Sequence, residues 1–221
     1  MKELEIRLNP NPLVQFLKKP TSEFTRQDII YFIEENEIEM INFRYVGEDG
    51  KLKSLNFVIN SKQHLEDLLS TGERVDGSSL FSYIEAGSSD LYVIPRFKTA
   101  FVNPFSEYPT LDILCSFYTR EGLPLESAPE YILKKAQESL IKHTGYSFEA
   151  MGELEYYIMS ENHGLYQATD QRGYHESAPF TKWDKLRTEA MCAITQAGGL
   201  IKYGHSEVGN FNIDNTVYEQ N

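Results

Sequence analysis

The chain has 221 residues, of which 41% are hydrophobic, so it is long enough for one large domain or two small domains with real cores. Its formal net charge is -12, which argues against a protein that binds along a nucleic-acid backbone, because that task requires a basic face. An acidic protein that acts on anionic substrates would need metal ions to hold them.

The cysteines and the hydropathy pattern predict the compartment. Cys115 and Cys192 show neither the spacing of a metal site nor a disulfide-dense pattern, which favours reduced thiols in a cytosolic protein. The first residues lack the apolar stretch of a signal peptide, and no segment has the length and apolarity of a membrane span. We therefore expect a cytoplasmic protein with no nucleic-acid or membrane partner.

The N-terminal residues differ in pattern from those that follow. Residues 1–20 contain three prolines and no sustained periodicity, so they are predicted to form an extended arm. Residues 25–36 are predicted to form a helix, since Thr25 can cap it and Asp28 stands where a capping acid belongs.

Residues 21–120 are predicted to form a domain in which a helix crosses one face of a mostly antiparallel sheet. The turn sequence at 47–50 is typical of a hairpin, and the Gly- and Ser-rich segment 75–80 of a loop. Alternation predicts strands at 38–45, 51–59, 91–95, 100–102 and 111–118, with a short helix at 61–70.

A polar stretch with two prolines, 120–129, predicts a boundary, after which residues 121–221 begin a second domain. The order of its elements is that of an α/β domain too short to close on its own. We predict helices at 130–143 and 182–197, strands at 152–159 and 200–203, and an irregular polar region at 160–179.

Glu153 and Glu155 place two acids inside a segment whose neighbours predict a buried strand. Alternate side chains share a face, so the two carboxylates would lie about 7 Å apart. A buried carboxylate is costly unless it is compensated, and this spacing suits two neighbouring metal ions with one carboxylate each. The alternative is an edge strand whose charges prevent aggregation.

Two other candidate segments carry little information on their own. Glu207 follows a predicted strand, but an isolated Glu is more often solvated, and His205 is as often structural as a ligand. The Asp76 segment, Asp-Gly-Ser-Ser, is ordinary turn chemistry.

Taken together, in this order and spacing, these segments resemble glutamine synthetase from about residue 21 to the end. Val75-Asp76-Gly77-Ser78-Ser79 stands for the family's Phe-Asp-Gly-Ser-Ser. The family motifs Gly-x-Glu-x-Glu-Phe, Gly-Tyr and His-His-Glu-Val are similar to Gly152-Glu153-Leu154-Glu155-Tyr156, Gly173-Tyr174 and His205-Ser206-Glu207-Val208. The resemblance implies an α+β protein, with an N-terminal β-grasp domain followed by an incomplete α/β catalytic domain, an antiparallel sheet with flanking helices.

The resemblance also implies an activity. Glutamine synthetases phosphorylate the side-chain carboxylate of glutamate with ATP, and ammonia then displaces the phosphate. Two Mg²⁺ or Mn²⁺ ions per active site bridge nucleotide and substrate oxygens. By position, Glu155 and Glu207 are similar to ligands of the ion nearer the glutamate, and Glu153 to a ligand of the ion that serves the nucleotide phosphates.

The same resemblance implies an ammonium site and an assembly. Asp76 would attract ammonium and help to deprotonate it, with Ser79 nearby and Tyr174 lining the same pocket. In the family this loop enters the active site of a neighbouring subunit, so a homo-oligomer with shared sites is implied.

Four positions depart from the family pattern: Ser206 replaces a histidine, Arg96 an acid, Glu130 an arginine, and Lys202 an acid that contacts the nucleotide in many bacterial members. The chain also ends in Gln220-Asn221, one residue before the glutamate of the family's Gln-Asn-Glu motif. We therefore expect a truncated, inactive chain whose full-length parent is the enzyme.

Three alternatives remain open at this point. The parent could be a γ-glutamyl ligase that uses a polyamine or another amine. The chain could be a non-catalytic β-grasp protein that binds or regulates a partner. Strand-borne acids with this spacing also occur in glycosidases, although the Asp76 loop has no role there.

Overall fold

The computed structural model describes residues 2–161, 172–181, 183–208 and 216–220. The chain divides into two compact units. The first comprises Met1–Glu149 with Gln196–Gly198, and the second comprises Ala150–Thr195 with Gly199–Asn221. The boundary that the sequence places near residue 121 stays a prediction.

The first 20 residues are not an extended arm, which corrects the prediction from sequence. They contain helices α1, Lys2–Leu8, and α2, Pro12–Leu17. Pro12 occupies the first turn of α2, where its missing N–H costs nothing, and the Asn11 side chain accepts a hydrogen bond from the Leu13 amide. Leu13 and Val14 are fully buried, so hydrophobic burial holds this segment against the unit.

Helix α3, Arg26–Glu35, begins where the sequence predicts it. Thr25 and Asp28 form a reciprocal capping box. Burial alone would raise the pKa of Asp28, but hydrogen bonds from Lys19 and Thr25 outweigh it and lower that pKa. Helix α4, Lys62–Thr71, is capped by the Ser61 hydroxyl.

The sheet of the first unit is built from six strands: β1 Met40–Val46, β2 Leu52–Val58, β3 Glu73–Asp76, β4 Asp90–Pro95, β5 Phe101–Val102 and β6 Thr110–Thr119. Their order in the sheet is β2-β1-β6-β4-β3, with β5 paired to β6. The central pair β1 and β6 is parallel, and the other pairs are antiparallel, which confirms a mostly antiparallel sheet.

One face of this sheet and the helices build the core of the first unit. Large buried side chains alternate along the central strands, at Ile41 and Phe43 of β1 and at Leu111, Ile113 and Phe117 of β6. This alternation is what the sequence pattern predicts for a half-buried strand.

The other face of the central strands holds a buried acid, Asp112, which is 0% exposed. Its carboxylate accepts hydrogen bonds from Asn42 at 2.7 Å and from Asn103 at 3.2 Å, and it pairs with Arg44 Nε at 3.0 Å. A buried charge is tolerable only with such compensation.

Helix α5, Pro129–Thr144, is the last long element of the first unit. Glu130 in its first turn accepts a hydrogen bond from the Phe117 amide at 3.1 Å, so the residue that replaces the family arginine ties the helix to β6. The helix ends at Gly145, which adopts the left-handed conformation with φ 75°.

The second unit contains β7 Tyr157–Glu161, α6 Asp184–Gln196 and β8 Thr216–Gln220. The predicted strand at 152–159 is therefore wrong for residues 152–156, which are irregular. Strand β7 pairs with β8 from Tyr157 onward, and among the described strands none lies opposite 152–156. Residues 200–203 are likewise irregular, and half of the predicted polar region at 160–179, residues 162–171, lies outside the described residues.

No helix in the part of the chain that the structure describes is long and apolar enough to cross a membrane.

Candidate functional site

The Asp76 loop lies in the first unit, where β3 ends and a single 3-10 turn, Gly77–Ser79, follows. One Asp76 oxygen accepts hydrogen bonds from the Ser78 amide at 3.0 Å and the Ser78 hydroxyl at 2.7 Å. The other accepts one from the Ser79 hydroxyl at 2.7 Å. Asp76 and Ser79, which the sequence assigns to one site, are thus in direct contact.

These hydrogen bonds control the ionisation of Asp76. The hydroxyl of Ser79 lowers the pKa of Asp76 most, followed by those of Ser78 and Ser89, and together they hold it far below the usual aspartate range. The exposed carboxylate is therefore ionised at every pH near neutrality. It is well suited to attract a cation and is a weak base toward a bound proton.

Glycine at position 77 allows the loop to lie against its neighbouring strand. A Cβ atom there would lie 2.8 Å from Leu91 Cδ1 and 2.9 Å from the Ser89 carbonyl oxygen. The Gly77 amide donates to that same oxygen at 2.7 Å. The close approach fixes the backbone that carries Asp76.

Glu153 and Glu155 lie in the second unit, in the irregular segment that precedes β7, and both are exposed. The predicted buried strand is wrong here, since Leu154 between them is 80% exposed. The physical reason is that a strand forms only by pairing its backbone, and no described strand pairs with this segment.

A cleft of about 240 Å³ within the second unit joins the predicted metal ligands. Glu153, Glu155 and Glu207 all line it, although more than 50 residues of sequence separate Glu155 from Glu207. Three basic side chains, Arg187, Lys202 and His205, line the same cleft. The cleft therefore combines anionic oxygen donors with groups that can face an anion.

Packing against α6 sets the position of one wall of this cleft. A Cβ atom on Gly204 would lie 2.5 Å from Met191 Sδ and 3.3 Å from Arg187 Cδ. Glycine lets the backbone before His205 lie against these two side chains of α6, and a larger residue would require the flexible Met191 and Arg187 side chains to shift.

The donor chemistry of the three glutamates fits Mg²⁺ or Mn²⁺, which prefer carboxylate oxygens. In the part of the chain that the structure describes, no three His, Cys, Asp or Glu side chains lie close enough together to hold a metal ion. The glutamates thus share a cleft without converging on one point.

Tyr174 packs against His205 and His175 in a cluster of rings. The Tyr174 and His175 centroids are 4.0 Å apart, and His175 lies 4.3 Å from His205. His205 Nδ1 is 2.8 Å from the Ser206 carbonyl oxygen, and because a carbonyl only accepts, that nitrogen carries the proton. The same nitrogen is 3.8 Å from Glu207 Oε2.

The six residues predicted from sequence therefore form two groups. Asp76 and Ser79 belong to the first unit, and Glu153, Glu155, Tyr174 and Glu207 belong to the second. Sequence reasoning missed His175 and the bonding role of Ser206. For the role of Ser206, the one signal in the sequence is its position between His205 and Glu207.

Comparison with known proteins finds a family match within the first unit. Residues 37–120 match the sequence profile of a family described as glutamine synthetase, beta-Grasp domain. Over these residues the chain is similar to the beta-Grasp domain of glutamine synthetases. The match covers β1 through β6, including the loop that carries Asp76.

Similarity to glutamine synthetases extends well beyond that domain. The chain is 27% identical over 184 residues to glutamine synthetase of Methanococcus maripaludis, which covers 80% of this chain and 41% of that protein. It is 28% identical over 189 residues to the Thermotoga maritima glutamine synthetase, covering 83% of this chain and 42% of that one. The chain thus spans less than half the length of these curated relatives.

Solved structures support the α+β fold. The cryoEM structure of Plasmodium falciparum glutamine synthetase matches with a TM-score of 0.63 at 15% identity, over 89% of this chain and 43% of that chain. GmaS without ligand matches with a TM-score of 0.61 at 10% identity, over 88% of this chain and 44% of that chain. The predicted relationship to glutamine synthetase and the predicted fold class are both confirmed.

Proposed function

We propose that the chain is part of a glutamate–ammonia ligase that uses ATP to form glutamine through a γ-glutamyl phosphate intermediate. The observation that carries this proposal is the cleft of the second unit, which collects the three glutamates of the family motifs. The beta-Grasp match over residues 37–120 and the similarity to glutamine synthetases support it.

We assign Glu155 and Glu207 to a divalent ion on the glutamate side, and Glu153 to an ion on the nucleotide side. Mg²⁺ or Mn²⁺ bound there would neutralise charge on the transferred phosphate. The carboxylates of the chain hold the cations, while Arg187 and Lys202 supply fixed positive charge on the same cleft.

Asp76 is assigned to the ammonium ion, with Ser79 as its hydrogen-bond donor, and Tyr174 on a neighbouring subunit is assigned to a wall of the ammonium pocket. Its lowered pKa supports a role in attracting and orienting the cation more than in removing its proton. We further propose a cytoplasmic homo-oligomer with shared active sites, whose substrates are glutamate, ammonia and ATP.

A second candidate is a γ-glutamyl ligase that uses another amine. Two observations support this candidate. Lys202, a departure from the family pattern, lines the cleft, and the TM-score to GmaS is close to that for glutamine synthetase. Both candidates require the same metal ligands and differ in the amine that attacks the activated glutamate.

Glu155→Gln tests the metal assignment on the chain itself. We expect the affinity for Mn²⁺, measured from the electron paramagnetic resonance of the free ion, to fall about tenfold or more, because a charged oxygen ligand becomes a neutral amide. Glu149→Gln, an exposed acid of the first unit, is the matched control and should bind as the wild type does. Equal affinities for both variants would remove Glu155 from the metal site.

The amine is tested in a protein that carries this chain at the full length of its relatives. Formation of glutamine from glutamate, ATP and ammonia is the expected outcome. Failure with ammonia and turnover with methylamine or a polyamine would replace the leading proposal with the second candidate.

A further inference from the structure

Ser206 is a buried polar residue between two members of the candidate site. It is 2% exposed, and it lies between His205 and Glu207. Its hydroxyl is 2.7 Å from the Gly173 carbonyl oxygen and 3.1 Å from that of Glu176. A hydroxyl has one proton, so it is shared between two carbonyls of a single turn.

The backbone of Ser206 bonds the same turn in the opposite direction. The His175 amide donates to the Ser206 carbonyl oxygen at 3.0 Å. Gly173 also lies close to Glu207, the residue after Ser206. A Cβ atom on Gly173 would be 2.7 Å from the Glu207 carbonyl oxygen. Hydroxyl, carbonyl and close contact together join two segments that are about 30 residues apart.

The joined segments carry the groups that matter for the site. The turn carries Tyr174 and His175, and the second segment carries His205 and Glu207. The rings of Tyr174 and His205 meet edge to face, with centroids 5.3 Å apart and planes at 74°. The bonds that Ser206 makes hold the turn that carries Tyr174 and His175 against the segment that carries His205.

We infer that Ser206 is a positioning residue, which pins the Gly173–Glu176 turn to Glu207 and so sets the orientation of Glu207 toward its cation. The effect on the cation rests on the proposed function, whereas the pin itself does not. Histidine, the residue that the resemblance places at this position, has no hydroxyl to share between the two carbonyls. The shared hydroxyl bond is therefore a feature of Ser206 in this chain.

Hydrogen exchange tests the pin directly. In Ser206→Ala, we expect the His175 amide to exchange about five- to tenfold faster than in the wild type, since loss of one hydrogen bond loosens the turn. The Arg187 amide, which donates to the carbonyl oxygen of Trp183 just before α6, should keep its rate and so report that the unit stays folded.

Two further variants separate the hydroxyl from general effects. Ser206→Thr keeps a donor and should restore slow exchange at His175. Ser177→Ala removes an exposed hydroxyl from the same region and should leave the rate unchanged. An unchanged His175 rate in Ser206→Ala, or a failure of Thr to restore it, would overturn the pin.

The consequence for the cation is measured separately. Ser206→Ala should lower Mn²⁺ affinity about tenfold, as loss of a residue that orients a ligand does, and Ser206→Thr should recover it. Normal affinity in Ser206→Ala with fast exchange at His175 would refute the positioning role. If the wild type bound no Mn²⁺, the proposed metal role would fall, while the exchange rates would still decide on the pin.

Discussion

Single residues in this chain act through the partners that the fold gives them. Asp76 is exposed, yet hydroxyls from Ser79, Ser78 and Ser89 lower its pKa and keep it ionised. Asp112 is fully buried and is tolerated because two amides and Arg44 satisfy its charge. The sequence placed Asp76 in a turn and offered no sign of the network around Asp112.

Ser79→Ala should raise the pKa of Asp76 toward its usual value, because the largest hydrogen-bond contribution is lost. Ser78→Ala should raise it less, as the Ser78 amide still donates. Carboxyl ¹³C shifts followed over a pH titration measure both. Equal midpoints in Ser79→Ala and the wild type would contradict the assigned hydrogen bond.

The sign of the pH effect on stability follows from the lowered pKa. Ionised Asp76 favours the folded state at every pH above its unfolded pKa of about 3.9, and this contribution is lost as the pH falls through the lower folded value. In Ser79→Ala the contribution should therefore be smaller and should disappear at a higher pH.

At the scale of elements, helices form where local capping signals predict them, whereas strands form only where a pairing partner is present. Helices α3 and α4 begin at residues whose side chains cap them, as their sequences predict. Residues 152–156 have the alternation of a strand but form none, because pairing with β8 begins only at Tyr157. The backbone hydrogen bonds of a helix close within its own segment, so caps mark where it begins, whereas those of a strand require a second segment.

The end of α4 provides a test at this scale. Gly72 has φ 68°, and a Cβ atom on it would lie 2.2 Å from the Val93 carbonyl oxygen. Gly122 has φ 78° with nothing within 4 Å of such an atom. Gly122→Ala should cost about 1–2 kcal/mol of unfolding free energy in urea, the strain of the left-handed conformation alone.

Gly72→Ala should cost more than Gly122→Ala, because the β4 backbone must also move away from the added methyl group. Equal losses of unfolding free energy in the two variants would mean that the β4 backbone moves away from the added methyl group at no energetic cost.

At the scale of the whole molecule, the chain consists of two units that differ in their burial. The core residues of the first unit come mainly from α2, α3, α4 and its central strands. Helix α6 of the second unit has no buried residue among those described. The first unit therefore contains the hydrophobic free energy of a stable domain within its own residues.

Residues 1–149 expressed alone are expected to fold and to unfold cooperatively in urea. In this fragment Leu13→Ala should lower the unfolding free energy by about 2–5 kcal/mol, because it leaves a cavity beneath α2. Leu8→Ala, at a residue that is 70% exposed, is the control and should change little. A small loss in Leu13→Ala would mean that the N-terminal helices do not belong to the core.

The sequence alone determined the β-grasp plan, the capped helices, the hairpin and the six candidate residues, because each rests on local patterns or on motifs within one segment. Only the tertiary structure decided that residues 2–17 are helical and pack into the core, and that Glu153 and Glu155 lie on an irregular segment. It also decided that Ser206 joins the Tyr174 turn to Glu207. These features depend on contacts between segments distant in the chain, and local patterns carry no information about such contacts.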